Sequence, residues 1–290
     1  MISAYFIHLL ILVLIYLILS LSLQLSIGFT GILNLGHIAF FALGAYTSAL
    51  LTLKGVPWLL AFLFSGILPM IFGFLLSLPT NKLKGDYLAL ATMGFSFVVY
   101  SVLLNWTELT RGPLGIPGIP KPNFFGFSIS NNFQFLILSF IITTFSFLII
   151  KRIIDSPFGK VMQAIRDNEL AVRVLGKSSF KVKTISLMIS SFFAGLAGSL
   201  YAHYITFIDP SSFTLLQLIP ILSIVIVGGL ASLKGTIIST IALTLLPEPL
   251  RFIGFPSSIV GPLRQIIFAL ILLLILLFKP KGFYGKIELE

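Results

Sequence analysis

Residues 4–23 read AYFIHLLILVLIYLILSLSL, a run without one charged side chain. Roughly 20 apolar residues in a helix cross a hydrocarbon core about 30 Å thick, so this stretch already names lipid as the chain's solvent. The rest of the sequence agrees: 57% of its 290 residues are apolar and 10% are charged, against about a quarter charged in globular domains. Nineteen basic and 9 acidic side chains cannot clothe a water-facing surface of that length, which excludes a soluble enzyme. The run has no basic leader and no small-residue cleavage site, and it is longer than a signal-peptide core. It is expected to persist as a span.

Working outward, further spans are expected at Ile32 to Leu53, Pro57 to Pro79, Tyr87 to Asn105, Phe133 to Ile150, Thr184 to Tyr204, Leu215 to Leu230, Thr236 to Pro249 and Gln265 to Phe278. Together they predict an all-α, polytopic membrane helix bundle of about 8 to 10 transmembrane helices, forming a single domain over residues 1–290 with no internal repeat. Two spans are short and broken: one contains Pro220 and ends at Gly228 and Gly229, the other stops at Pro247 and Pro249. Irregular backbone is tolerated at membrane depth only where protein or water satisfies it, so Gly228 and Gly229 are candidates for a pathway or gate. An ordinary turn between two helix ends is the competing reading.

Orientation follows from charge. Residues 151–183 carry Lys151, Arg152, Lys160, Arg166, Arg173, Lys177, Lys181 and Lys183 against Asp155, Asp167 and Glu169. Basic loops stay cytoplasmic, which predicts a multi-pass cell-membrane protein with this loop inside. Alternation then brings Lys82, Lys84, Lys234, Lys279, Lys281 and Lys286 to the same side and leaves Lys54, Arg111, Lys121, Arg251 and Arg264 outside, with Glu248 pairing Arg251. Trp106 reads as an interfacial anchor. Nothing before Lys54 is charged, so the amino terminus can face either way. The net charge of +10 therefore reflects membrane topology, and no nucleic-acid partner is implied.

Chemistry is scarce within the spans. Asp86, Glu108, Asp209 and Glu248 fall at or beyond expected ends, and His37 and His203 approach membrane depth. Ion-coupled carriers typically carry an intramembrane carboxylate or histidine relay, and none is evident. Cysteine is absent, and no HExxH or GxSxG motif occurs. In Gly229-Leu-Ala-Ser-Leu-Lys234-Gly235-Thr236 the lysine precedes the second glycine, the wrong order for a phosphate-binding loop. The chain is thus expected to be non-catalytic, without metal or cofactor, its energy supplied by another polypeptide.

Asn34, Gly36 and His37 interrupt the second span with polarity. They line a pathway or gate, or else make the interhelical hydrogen bonds that fix packing. Ala194, Gly198 and Ala202 recur every four residues, a smooth ridge for close helix approach. In the basic loop, Ser156 can cap a helix beginning at Pro157. Asp167 can cap a second one over Asn168 to Leu175, closed by Gly176 in the left-handed conformation. On that second helix Leu170, Ala171, Val174 and Leu175 form an apolar face beside an i,i+4 pair of Glu169 and Arg173. A small amphipathic helix beneath a membrane bundle suits a groove on a cytoplasmic partner; resting on anionic lipid headgroups is the alternative.

Arg166-Asp-Asn-Glu-Leu-Ala-Val-Arg-Val-Leu-Gly176, with Ser156-Pro-Phe-Gly159 upstream, resembles the cytoplasmic loop of ABC-transporter permeases for branched-chain amino acids. So do Gly28-Phe-Thr-Gly-Ile-Leu-Asn-Leu-Gly-His-Ile-Ala-Phe-Phe-Ala-Leu-Gly-Ala-Tyr46, Lys84-Gly-Asp-Tyr87, Gly112-Pro-Leu-Gly115, Ser191-Phe-Phe-Ala-Gly-Leu-Ala-Gly-Ser-Leu-Tyr201, Gly228-Gly-Leu-Ala-Ser-Leu-Lys-Gly235 and Lys279-Pro-Lys-Gly282. The resemblance covers residues 20 to 285. It implies an importer subunit that works in the lipid bilayer with a second homologous permease, cytoplasmic ATP-binding subunits and an extracytoplasmic solute-binding protein. It also implies that Arg166, Asp167, Glu169, Ala171, Leu175 and Gly176 form the coupling element for the ATPase. The loop departs from the broader importer motif, which places two alanines directly after the glutamate and a glycine six residues on. Here Ala171 follows a leucine, Val172 replaces the second alanine and the glycine is seven residues on. Branched-chain amino acids are the implied cargo; urea, amides or other amino acids are alternatives within the family, and an ion-coupled secondary transporter is the rival outside it.

Overall fold

The computed structural model describes residues 2–83, 85–124, 127–129, 131–248, 257–279 and 281–285. Helix α1 (Ile2–Gln24) continues into a single π-helical turn, Leu25–Phe29. The chain then runs without helix to α2 (His37–Leu53), and α3 (Trp58–Thr80), α4 (Asp86–Asn105) and the short α5 (Thr107–Thr110) follow. After the Gly/Pro-rich segment come α6 (Asn132–Asp155), α7 (Pro157–Asp167), α8 (Glu169–Val174) and α9 (Ser179–Ile205). The chain closes with α10 (Leu218–Gly228), α11 (Leu233–Leu245) and α12 (Ser257–Phe278). Among the described residues six helices are long and apolar enough to cross a membrane, and three shorter apolar helices lie over His37–Leu53, Leu215–Gly228 and Leu233–Leu245. These nine segments are the nine expected spans.

Helix α9 lies at the centre, against α2 and α3. Its approach depends on missing side chains. A methyl group on Gly198 would overlap the Phe41 carbonyl, and one on Gly44 would strike the backbone of Gly195. Pro69 within α3 has no amide to offer the Ser65 carbonyl four residues back. That freed carbonyl is the atom against which Gly195 packs, so the crossing of α3 and α9 is seated on a proline-made gap in the hydrogen-bond ladder.

Side-chain contacts settle which way α1 runs. Near its start, Tyr5 donates to the Glu248 carboxylate beyond α11; near its end, the Gly28 carbonyl receives Arg166 of the basic loop. The amino-terminal end of α1 therefore lies on the face opposite residues 151–183. On that opposite face Ile116–Pro117 pairs antiparallel with Phe207–Ile208, pinning the Gly/Pro-rich segment to the end of α9.

Three expectations need correction. The second span, expected from Ile32, starts at His37, because residues 30–36 find partners other than their own helix. The last helix begins at Ser257, not Gln265, and puts Arg264 inside it, where it pairs with Glu248 at 3.0 Å. Arg251, the partner expected for Glu248, lies outside the described residues, as do Lys84 and Lys286. The cap of α8 is Asn168 where Asp167 was expected.

Candidate functional site

The basic loop folds as two short helices. Ser156 caps α7, its hydroxyl accepting the Gly159 amide at 3.3 Å, with Pro157 at the first helical position, where a missing amide costs nothing. Helix α7 extends through Asp167, whose carboxylate is engaged by Arg166 at 2.8 Å. The cap of α8 is therefore Asn168 and not Asp167: Asn168 has the extended backbone a cap requires, and its Oδ1 accepts the Ala171 amide at 3.0 Å. Gly176 ends the unit at φ +75°.

Glu169 points back into the protein. Its carboxylate receives Arg173 at 2.5 Å and Lys183, from the first turns of α9, at 2.7 Å. Burial pushes this carboxyl up, but the hydrogen bonds and charges of Lys183 and Arg173 outweigh burial and hold it below its ordinary value of 4.5. The Arg173 pair was legible from its spacing; the Lys183 pair, fourteen residues away, was not. With Glu169 and Val172 turned inward, the outer face is Leu170, Val174 and Leu175, exposed by 64%, 87% and 78%. Three contiguous aliphatic side chains this exposed, outside any apolar span, form a surface suited to a partner.

Arg166 ties the loop to the bundle. Its side chain is 12% exposed and donates to the Gly28 carbonyl at 2.7 Å, in the π-helical turn. Gly31, at φ +73°, has no room for a Cβ because the Arg166 side chain lies against it. One turn before Gly28, the Gln24 amide donates to the Gly229 carbonyl at 2.9 Å. Gly228 and Gly229 are themselves packed: a Cβ on Gly228 would come within 2.6 Å of the Gly235 backbone, and Gly229 abuts Gly285. Phe283 and Tyr284 donate their amides to the Val227 and Gly228 carbonyls at 2.9 and 3.2 Å.

The non-helical segment before α2 is held by hydroxyls. Thr92 of α4 accepts the Leu35 amide at 3.0 Å, and Ser96 donates to the Leu35 carbonyl at 3.1 Å. Asn34 accepts the Gly36 amide at 3.0 Å, while a Cβ on Gly36 would sit 2.8 Å from the Thr92 carbonyl. His37 is fully buried, with Nε2 3.1 Å from the Leu19 carbonyl, so that nitrogen carries the proton. Its Nδ1 and the Asn34 Nδ2 have no partner among the described residues. The helix break is thus a built feature that retains unused polar capacity inside the bundle.

Comparison with known proteins now bears on this arrangement. The family described as branched-chain amino acid transport system / permease component matches residues 5–276. The chain belongs to that family. This permease is 34% identical over 281 residues, 88% of its length, to the high-affinity branched-chain amino acid transport system permease protein LivM of Escherichia coli (strain K12). It is 30% identical over 237 residues, 77% of its length, to the probable branched-chain amino acid transport permease protein LivM of Methanocaldococcus jannaschii. A guanosine ABC transporter permease protein, NupQ of Bacillus subtilis, is 24% identical over 61% of the chain. The match spans 64% of the Escherichia coli relative's own length and 67% of the archaeal one's. No solved structure matches the permease significantly. It is a multi-pass membrane protein of that family.

Proposed function

We propose that the permease is the membrane subunit of an ABC importer for branched-chain amino acids, working beside a second homologous permease. An extracytoplasmic solute-binding protein delivers the cargo, and cytoplasmic ATP-binding subunits supply the energy through α8. The chain itself is non-catalytic and sits in the cell membrane with residues 151–183 in the cytoplasm. The observation that carries this reading is the exposed ridge of Leu170, Val174 and Leu175 on a helix anchored to α9 through Glu169 and Lys183. Such a ridge suits helix-in-groove docking on a partner. The names of the LivM relatives supply the cargo.

The anchoring contacts suggest how a push on α8 travels inward. Displacement of the loop carries Arg166, and with it the Gly28 carbonyl and the π-helical turn. Gln24 passes that movement to Gly229, while the segment bearing Asn34, Gly36 and His37 follows directly from Gly31. A less tightly wound turn beside an already broken span is a suitable place for rigid-body displacement to open a gate. In this reading Arg166, Asp167, Glu169, Ala171, Leu175 and Gly176 shape the coupling element, and Asn34, Gly36, His37, Gly228 and Gly229 are the gate.

Replacing Leu170 and Val174 together by aspartate is expected to reduce co-purification of the ATP-binding subunits and ATP-driven leucine uptake by about thirtyfold or more, as loss of a central docking contact does. Membrane insertion is expected to be unaffected, because Leu170 and Val174 are 64% and 87% exposed and lie outside the apolar spans. Unchanged uptake would remove the docking assignment. Uphill accumulation by the permease alone, driven by an ion gradient, would replace the importer with a secondary carrier.

A further inference from the structure

The Arg264–Glu248 pair does not close the space around it. A cavity of about 290 Å³ lies between α1, α10, α11 and α12, and both charged side chains line it. Leu12, Ile224 and Phe268 supply its apolar wall, and Thr244 stands beside the charges. The Arg264 Nε and the Thr244 hydroxyl are buried without a partner among the described residues. A guanidinium presents a fork of donors, and here one terminal nitrogen is committed to Glu248 at 3.0 Å. The Nε donor is left over in a cavity whose other polar lining is Tyr16, Gln217, Thr244 and Gln265. Leu12 lies seven residues after Tyr5, about 10 Å along the helix at 1.5 Å per residue, so the cavity sits within the bundle on the face opposite the basic loop.

We infer that this cavity is a binding site within the permease for a zwitterionic, apolar α-amino acid, met by the cargo after it leaves the binding protein. The inference rests on the importer reading above. The charge pattern selects the ligand class. A simple carboxylate would gain Arg264 but meet Glu248 at close range, and a simple amine would gain Glu248 but meet Arg264. A molecule carrying both charges a few bonds apart offers a complement to each, because like-charge contact inside a protein is unfavourable. The apolar wall then receives an aliphatic side chain, and the volume falls near the low end of small-molecule pockets, about 300 Å³, which suits an amino acid better than a nucleoside. A lipid headgroup with an ammonium and a phosphate shares the charge pattern, so the test must separate the two.

The complex of permeases and ATP-binding subunits, in phosphatidylglycerol nanodiscs without binding protein, should bind labelled leucine saturably. Neither 4-methylpentanoate nor isopentylamine, which lack the amine and the carboxylate respectively, should compete. Combining Arg264→Gln with Glu248→Gln should weaken leucine binding about tenfold or more, the scale of charge-assisted hydrogen bonds. Leu12→Phe, which narrows the cavity without touching a charge, should shift preference from leucine towards alanine, and this variant decides the matter if the double variant fails to assemble. Leucine binding that ignores both variants overturns the proposal. So does selective retention of phosphatidylethanolamine by native mass spectrometry in place of leucine, which would make the cavity a headgroup seat. Stimulation of the wild-type ATPase by the binding protein tests the importer reading separately, since it does not depend on leucine binding to the isolated membrane complex.

Discussion

Helices α9 and α12 are both long apolar spans, yet 72% of an 18-residue stretch of α9 is buried against 6% in α12. The buried one is the less hydrophobic of the two. In water the order would be reversed. In a bilayer, lipid tails receive leucine as well as protein does, so hydrophobicity no longer drives helices together; close packing and interhelical hydrogen bonds do. Helix α9 accordingly spends its central turns on Ala194, Gly195, Ala197, Gly198, Ser199 and Ala202, whereas α12 after Arg264 is nearly all leucine, isoleucine and phenylalanine.

The largest expected effect would break this contrast at its source. Gly198→Leu places a branched side chain where even a Cβ would overlap the Phe41 carbonyl and come within 2.8 Å of the Ala45 amide. Backbone cannot yield as a side-chain tip can, so we expect a loss of about 3 kcal/mol or more, the upper end of overpacking. The readout is a collapse of the monodisperse peak and of Tm in detergent. Leu273→Ala on the exposed face of α12, where Leu273 is 56% exposed, should leave both unchanged. Comparable damage from the two substitutions would mean that α12 is covered in the assembled transporter.

A smaller effect sharpens the same contrast by asking what polar glue contributes. The His203 Nδ1 lies 2.6 Å from the Pro120 carbonyl and must donate to it, which leaves Nε2 as the acceptor. Ser48 of α2 therefore donates to that nitrogen at 2.8 Å, and Ser199 donates in turn to Ser48 at 2.7 Å. Ser48→Ala removes the middle of this chain and orphans one buried acceptor and one buried donor. Such bonds are worth about 0.6–2 kcal/mol in membranes, so a modest fall in Tm is expected, with Ser48→Thr restoring part of it. No change would show that the close backbone approach alone holds α9.

Much of this division is legible in the sequence. The nine apolar runs, the ridge of Ala194, Gly198 and Ala202, the broken second span and the Ser156 and Gly176 boundaries of the loop are local signals, each written within a few residues. The unreadable parts depended on distant partners. Arg264 looked like the end of a span because a charge normally marks one; only Glu248, sixteen residues back, lets it sit inside α12. Asp167 and Asn168 are both competent caps, and the choice was made by Arg166, which engages the aspartate. The direction of α1 had no charge to report it, and needed Tyr5 and Gly28 to meet Glu248 and Arg166.

The smallest effect lies at the periphery, where α8 is fastened by charge instead of by close packing. The folded-state pKa of Glu169 is depressed below 4.5. Its contribution is therefore complete above the unfolded value and disappears as pH falls through the lower, folded one. Amide hydrogen-exchange protection of Glu169–Val174, compared between wild type and Glu169→Gln, should differ by a constant amount from neutral pH down to about 5 and converge in more acidic solution. Protection over Ala194–Ala202 should be indifferent to pH in the same interval, since no acidic group takes part in that crossing. A pH-independent difference at α8 would mean that Glu169 acts through packing. The same outcome would place the loop under the rule that governs α9, and the contrast between centre and edge would disappear.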